Sequence, residues 1–176
     1  SVNTKAKVGP NNGKKFSSDE KIYIKKSKVK NFIKKKINYE KSLDKNIKII
    51  KGTNFDYFSE EAKNKFFKEE FLVNLSDRMG MRLEGPKLNN IVNTNIKSEG
   101  LVKGVVQVPA DGNPIILFSD HGSIGGYPKI AVVITADHDM TAQLIPGSKI
   151  KFKEVNLDEA EELFKSYFNK TKNYIE

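Results

Sequence analysis

Gly104-Val105-Val106-Gln107-Val108-Pro109-Ala110-Asp111-Gly112-Asn113-Pro114-Ile115-Ile116-Leu117-Phe118 is the stretch that decides the fold. Two β-branched or aliphatic runs flank a Pro-Ala-Asp-Gly-Asn segment, and an Asp-Gly pair between such runs predicts a β-hairpin. The second run gives way to Ser119-Asp120-His121-Gly122-Ser123-Ile124-Gly125-Gly126-Tyr127-Pro128. Three glycines and a proline in the last seven of these residues predict a stretch without regular structure, whose backbone can approach a ligand or another strand closely. A third apolar run, residues 129–135, follows at once. Function is expected in this region, between Ser98 and Asp137.

Working outward, 176 residues suffice for one domain with a substantial core. The net charge of +9 is unevenly spread. Residues 1–56 hold sixteen Lys, no Arg and five acids, whereas the rest of the chain is slightly acidic. Such a basic segment can neutralise phosphates, and Lys25, Lys26, Lys28, Lys30 and Lys34 to Lys36, with Tyr23 and Phe32, fit that pattern. Against it stand the missing Arg, whose planar fork is the usual phosphate reader, and seventeen Asn and seventeen Ile in the chain, a composition of AT-rich coding. Nucleic-acid binding is therefore not the expected role. No cysteine is present, which excludes disulfides, thiolate catalysis and a Cys-based zinc site. His121 and His138 stand apart without a third ligand pattern, so no metal is expected. No apolar run reaches membrane-span length and no signal-peptide core opens the chain, which predicts a cytoplasmic protein.

Residues 1–46 read as a Lys-rich, partly loop-like N-terminal segment, with at most a short strand at residues 21–25 and an exposed linker over 25–45. Residues 47–176 read as the folded domain. Asn46-Ile47-Lys48-Ile49-Ile50-Lys51 alternates as a strand. Ser59 caps a short helix with Glu60 and Glu61 in its first turn and Ala62, Phe66 and Phe67 on one core-facing side. Phe71 to Ser76 and Met81 to Pro86 form a hairpin that sets Arg82 and Glu84 on one face and Met81 and Leu83 on the other. Arg82 and Glu84 thus make an opposite-charge pair, with Arg78 at the turn and Glu99 as a candidate neighbour. Such a pair is either a surface pair of little energetic weight or a substrate-orienting group in which Arg grips a carboxylate or phosphate. Residues 136–144 make a short helix capped by Asp137, and residues 148–155 a half-exposed strand. Asn156 opens a terminal helix whose stripe, Ala160, Leu163, Phe164, Tyr167 and Phe168, is expected to dock on the sheet as core. The sum is a mainly β fold: an antiparallel β-barrel with a few short helices and a docked C-terminal helix.

Several of these segments, in order, carry a resemblance. Residues 76–86 (Ser-Asp-Arg-Met-Gly-Met-Arg-Leu-Glu-Gly-Pro), Ser98-Glu99-Gly100, residues 104–114, Gly125-Gly126-Tyr127-Pro128-Lys129-Ile130-Ala131 and Pro146-Gly147 resemble the C-terminal part of the biotin-dependent carboxyltransferase, or allophanate hydrolase subunit 2, family. That family includes the C component of 5-oxoprolinase, the Kip anti-inhibitors and part of urea amidolyase. The resemblance spans about residues 47–155 and implies a cyclophilin-like barrel, truncated relative to full-length members. The loop departs from the family pattern of Asp, any residue, Gln, Thr, Thr, reading Asp120-His121-Gly122-Ser123-Ile124 instead.

The resemblance implies a subunit of an ATP-dependent 5-oxoprolinase-like complex, a cyclic amide hydrolase related to urea amidolyase. Its partners would be a Kip-inhibitor-like subunit, of the allophanate hydrolase subunit 1 type, and a lactam-utilisation subunit. This chain would bind no cofactor itself, ATP being used by the complex. Arg78 and Arg82 are then candidate carboxylate or phosphate grips, Glu84 an orienting carboxylate, Gln107 and Asp120 polar lining, and Gly125, Gly126, Tyr127 and Lys129 the glycine loop and its edge. The alternatives are a non-catalytic Kip-type anti-inhibitor that binds a kinase-inhibitor partner, or an inactive remnant.

Overall fold

A computed structural model describes residues 6–14, 16–23, 25, 46–90 and 95–172. The chain divides into two compact units, Ser1–Lys36 and Ile37–Glu176. In the first, Pro10–Gly13 forms a 3-10 turn in which Asn11 and Asn12 take left-handed backbone angles, φ 53° in each. The Glu20 carboxylate gathers the backbone N–H of Ser17 at 2.9 Å and its hydroxyl at 3.2 Å. Of the short strand that residues 21–25 could at most form, none is present in the described residues 21–23 and 25, and Ile22 and Tyr23 are exposed. The linker expected over residues 25–45 lies almost entirely outside the described residues.

The second unit is a closed barrel. Its strands are β1 (Asn46–Lys51), β2 (Phe71–Ser76), β3 (Gly80–Glu84), β5 (Val105–Gln107), β6 (Ile115–Leu117), β8 (Lys129–Val133) and β9 (Lys149–Glu154). They are ordered β1-β8-β5-β6-β3-β2-β9, with β9 returning to β1. The remaining two strands, β4 (Glu99–Gly100) and β7 (Ile124–Gly125), pair with each other outside the barrel. Closure removes the unpaired edges that an open sheet of such short strands would present. The expected hairpin about Asp111-Gly112 is β5–β6, in register at Val106↔Ile116 and Gln107↔Ile115. Every barrel pairing is antiparallel except the closing one: β1 and β9 run parallel, at Ile47↔Phe152 and Ile49↔Glu154. Alternation along the strands fills the interior. Ile47, Ile49, Val73, Met81, Leu83, Val106, Ile116, Ala131, Ile150 and Phe152 are all buried.

Helix α1 (Glu60–Lys68) covers one side of this core. Ser59 Oγ accepts from the Ala62 N–H at 3.2 Å, satisfying an orphan donor of the first turn, as the sequence predicts. The aromatic face of the helix turns inward, Phe66 stacking on Phe152 with ring centroids 4.3 Å apart.

Two helical expectations need correction. Asp137 sits at the N-cap of α2 (His138–Ala142) but makes no side-chain cap there, because its backbone is already in the helical region. Its carboxylate reaches across instead to the backbone N–H of Lys48 at 2.8 Å and to the Lys48 ammonium at 3.5 Å. The terminal helix α3 (Leu157–Lys172) is present, and Asn156 Oδ1 accepts from the Glu159 N–H at 2.8 Å. Its stripe is not core, however. It lies against the 3-10 turn Thr135–Asp137 rather than on the sheet, with Ala160, Leu163 and Tyr167 half-buried and Phe164 and Phe168 exposed. The Tyr167 hydroxyl donates to the Asp139 carboxylate.

Candidate functional site

Register alone fixes the faces of the candidate side chains. Arg82 pairs with Ile115, and Ile115 with Gln107, so these three residues form one row across β3, β6 and β5. Directly paired side chains share a sheet face. Met81, Ile116 and Val106 fill the core from the adjacent row, so Arg82, Ile115 and Gln107 face outward. Arg82 and Glu84 do share a face, as the sequence predicts, and both are exposed. No ion pair joins them among the described residues; Glu84 accepts from Asn74 Nδ2 at 2.7 Å. The Asp111 carboxyl, in the β5–β6 turn, lies below its usual range despite the opposing effect of burial: Asn113 donates to it, with Lys87 and Arg82 adding smaller favourable charge.

Although it faces outward, Gln107 is buried, because a second layer covers it. The stretch expected to lack regular structure contains the two-residue strand β7, and its pairing with β4 makes a small ribbon. Gly125 packs closely there: a Cβ would stand 2.9 Å from both Gln107 Nε2 and Leu101 Cδ1, side-chain ends that would have to shift to admit it. Gln107 Nε2 donates to the Tyr127 carbonyl at 3.3 Å. The Ile96 N–H donates to the Gly126 carbonyl at 2.9 Å, closing the ribbon's other side.

At the same end of the barrel, in register with Gln107, lies Lys129. Its side chain is only 5% exposed, which for a cation demands a partner. Asn54 Oδ1 accepts its backbone N–H at 3.0 Å and faces its ammonium at 3.4 Å. The ammonium is paired with the carboxylate of Glu99, on the ribbon, whose side chain is 43% exposed. Glu99 therefore pairs with Lys129 rather than with Arg82, the ribbon reaching β8 through this ion pair and β5 through Gln107. The hydrogen bond from Lys129 holds the Glu99 carboxyl below the usual carboxylate range, more than offsetting burial. A lowered folded value means that the pair's stabilisation is complete above the ordinary Glu range and is lost as pH falls through that lowered value. Acid titration of the wild type is expected to show a loss of stability in that window that Glu99→Gln does not show.

Arg78 and Asp120 occupy the opposite rim. The β2–β3 turn meets the end of β6 there, and Arg78 Nε lies 2.8 Å from Asp120 Oδ2. Both are exposed, and Arg78 lines an open cleft of about 490 Å³ with Ser76, Asp77, Lys103, Phe118 and Ser119. The predicted residues thus fall in three places: the outer face with Arg82, Glu84 and Gln107; the ribbon and the strand beneath it with Gly125, Gly126, Tyr127 and Lys129; and the far rim with Arg78 and Asp120. Asn54 carried no sequence signal, being 75 residues from the lysine it holds. Among the described residues no cluster of His, Asp and Glu could hold a metal ion, and no helix is long and apolar enough to cross a membrane.

Residues 1–154 match the model of the carboxyltransferase domain, subdomain A and B, and the chain belongs to that family. It is 38% identical over 115 residues to the C component of Escherichia coli 5-oxoprolinase, covering 65% of this chain and 37% of that protein. With the corresponding C component of Haemophilus influenzae 5-oxoprolinase it shares 40% identity over 118 residues, covering 66% of this chain and 38% of that protein. Among solved structures, the urea amidolyase of Kluyveromyces lactis superposes with a TM-score of 0.70 at 28% identity, over 76% of this chain and 9% of that one. The chain spans less than two fifths of the length of these curated relatives.

Proposed function

We propose that this chain is the barrel part of a 5-oxoprolinase-like subunit, within a complex that opens a cyclic amide at the expense of ATP. The observation that carries the reading is the 38–40% identity to the C components of two 5-oxoprolinases; a barrel alone would not choose among activities. The geometry is consistent with it. A small lactam acid is polar and anionic, and the chain offers cations at three places on the barrel, with Arg82 and Gln107 on a single row. In this reading ATP is bound by partner subunits and no cofactor by this chain. The partners are a Kip-inhibitor-like subunit and a lactam-utilisation subunit, and the complex is cytoplasmic.

Co-expression with subunits of those two kinds, followed by 5-oxoproline-dependent ATP hydrolysis, tests the proposal. Turnover by the wild-type complex is expected. Arg82→Ala should assemble normally, since an exposed Arg contributes less than about 1 kcal/mol to stability, and should lose turnover if the outer row holds substrate. A wild-type complex that forms without turnover would replace the hydrolase reading with a non-catalytic anti-inhibitor.

A further inference from the structure

The ion pair at Lys129 is unequal in a way that a simple structural pair is not. The ammonium is buried, with a side chain 5% exposed, whereas the carboxylate that neutralises it is 43% exposed. Glu99 thus stands between solvent and the cation. Its support is short: β4 is two residues long and pairs with the two residues of β7, with one flanking backbone hydrogen bond on either side, from Ile96 to Gly126 and from Leu101 to Ser123. Glycine follows Glu99 directly, and a Cβ at Gly100 would meet nothing within 4 Å. The ribbon is not sealed down by apolar burial either, since Ile124 is 68% exposed and Tyr127 41%. The ammonium, by contrast, is held from below. Asn54 Oδ1 binds both the backbone N–H and the side chain of Lys129, and Asn54 is itself buried. If Glu99 withdraws, the cation keeps its position and lacks only an anion.

We infer that Lys129 is the anchor of a binding point for a small carboxylic acid, and that Glu99 occupies this point as a built-in carboxylate that a ligand carboxylate displaces. The exchange conserves charge. One carboxylate replaces another on the same ammonium, so the buried cation stays neutralised and the displaced Glu99 gains full hydration. Gln107, beneath the same ribbon, gives the incoming acid a neutral amide neighbour in register with Lys129. The ligand class follows from the anchor: one ammonium suits a single carboxylate, and the bulk of the acid lies where the ribbon now rests. Binding at this point is independent of the proposed hydrolase activity, and it is read without turnover.

The test is chemical rescue in the full chain. Glu99→Ala removes the internal carboxylate. Its melting temperature should rise by several degrees with millimolar sodium acetate or 5-oxoproline, relative to sodium chloride at the same ionic strength. The wild type should respond about ten-fold more weakly, since its own Glu99 competes. The double variant with Lys129→Met should not respond at all. Should Glu99→Ala fail to fold, Glu99→Gln keeps the ribbon's shape without the charge and should show the same carboxylate-specific rise. Absence of a carboxylate-specific rise in the single variants, or an equal rise in the double variant, would overturn the site itself.

Discussion

Phe66→Ala is expected to lower the unfolding free energy by about 3–5 kcal/mol, the cost of emptying a fully enclosed aromatic site. Phe66 is fully buried, stacks on Phe152 at 4.3 Å and 19°, and meets Phe67 edge-on at 5.3 Å and Phe71 at 6.2 Å. It joins α1 to β2 and β9, two neighbouring strands of the barrel, so the cavity would open where neighbouring elements cannot all collapse inward. Aromatic pairing adds about 0.5–1.5 kcal/mol beyond the area removed from water. The control is Phe164→Ala in α3. Phe164 is 42% exposed, and its truncation is expected to stay within about 0.5 kcal/mol. Urea unfolding of the two variants beside the wild type decides the point. Similar losses in both would mean that the α3 stripe is core after all.

The contrast between those two phenylalanines also marks where sequence reading succeeds. A stripe at helical spacing announces an amphipathic helix, and both α1 and α3 are helices. It does not say what lies opposite. Phe66 meets an aromatic partner far along the chain, in β9, whereas among the described residues Phe164 pairs with its own helix neighbour Phe168 at 6.2 Å. The strands were legible for a local reason: β2 and β3 alternate buried and exposed residues, and the Asp-Gly turn ties β5 to β6. The parallel β1–β9 closure was not, because the two strands lie at opposite ends of the domain and no turn chemistry links them.

The candidate site divides along the same line. Arg82 and Glu84 could be placed together on one face because alternation decides it, and they do share one. Local charge spacing could not reveal which partner each charged group takes. Glu84 accepts from Asn74, and Arg78 pairs with Asp120 across 42 residues. The glycine run was read correctly as a place of close approach, yet the tolerance that permits approach also lets residues 124–125 join a ribbon. Composition registers the freedom of glycine and not the use a neighbouring strand makes of it.

Glu99→Ala is expected to cost about 2 kcal/mol at neutral pH, and Lys129→Met less than about 1 kcal/mol, although the two remove opposite ends of one ion pair. The asymmetry follows from burial. Without Glu99, the ammonium of Lys129 stays enclosed with only the Asn54 oxygen to solvate it, and an uncompensated buried charge is the costly outcome. The expected loss sits below the range for a fully severed buried pair because Glu99 is 43% exposed and water can enter in its place. Without the ammonium, Glu99 remains hydrated, and Asn54 Oδ1 still accepts the backbone N–H of residue 129 at 3.0 Å. The Met side chain refills the space of the Lys stem, a volume-conserving change. The double variant should therefore be more stable than Glu99→Ala alone, since it removes the charge that the single change strands. A double-mutant cycle by urea unfolding measures this directly. Equal and small losses in the two single variants, with no coupling between them, would reduce the pair to an ordinary surface contact and leave the ribbon held by its backbone hydrogen bonds.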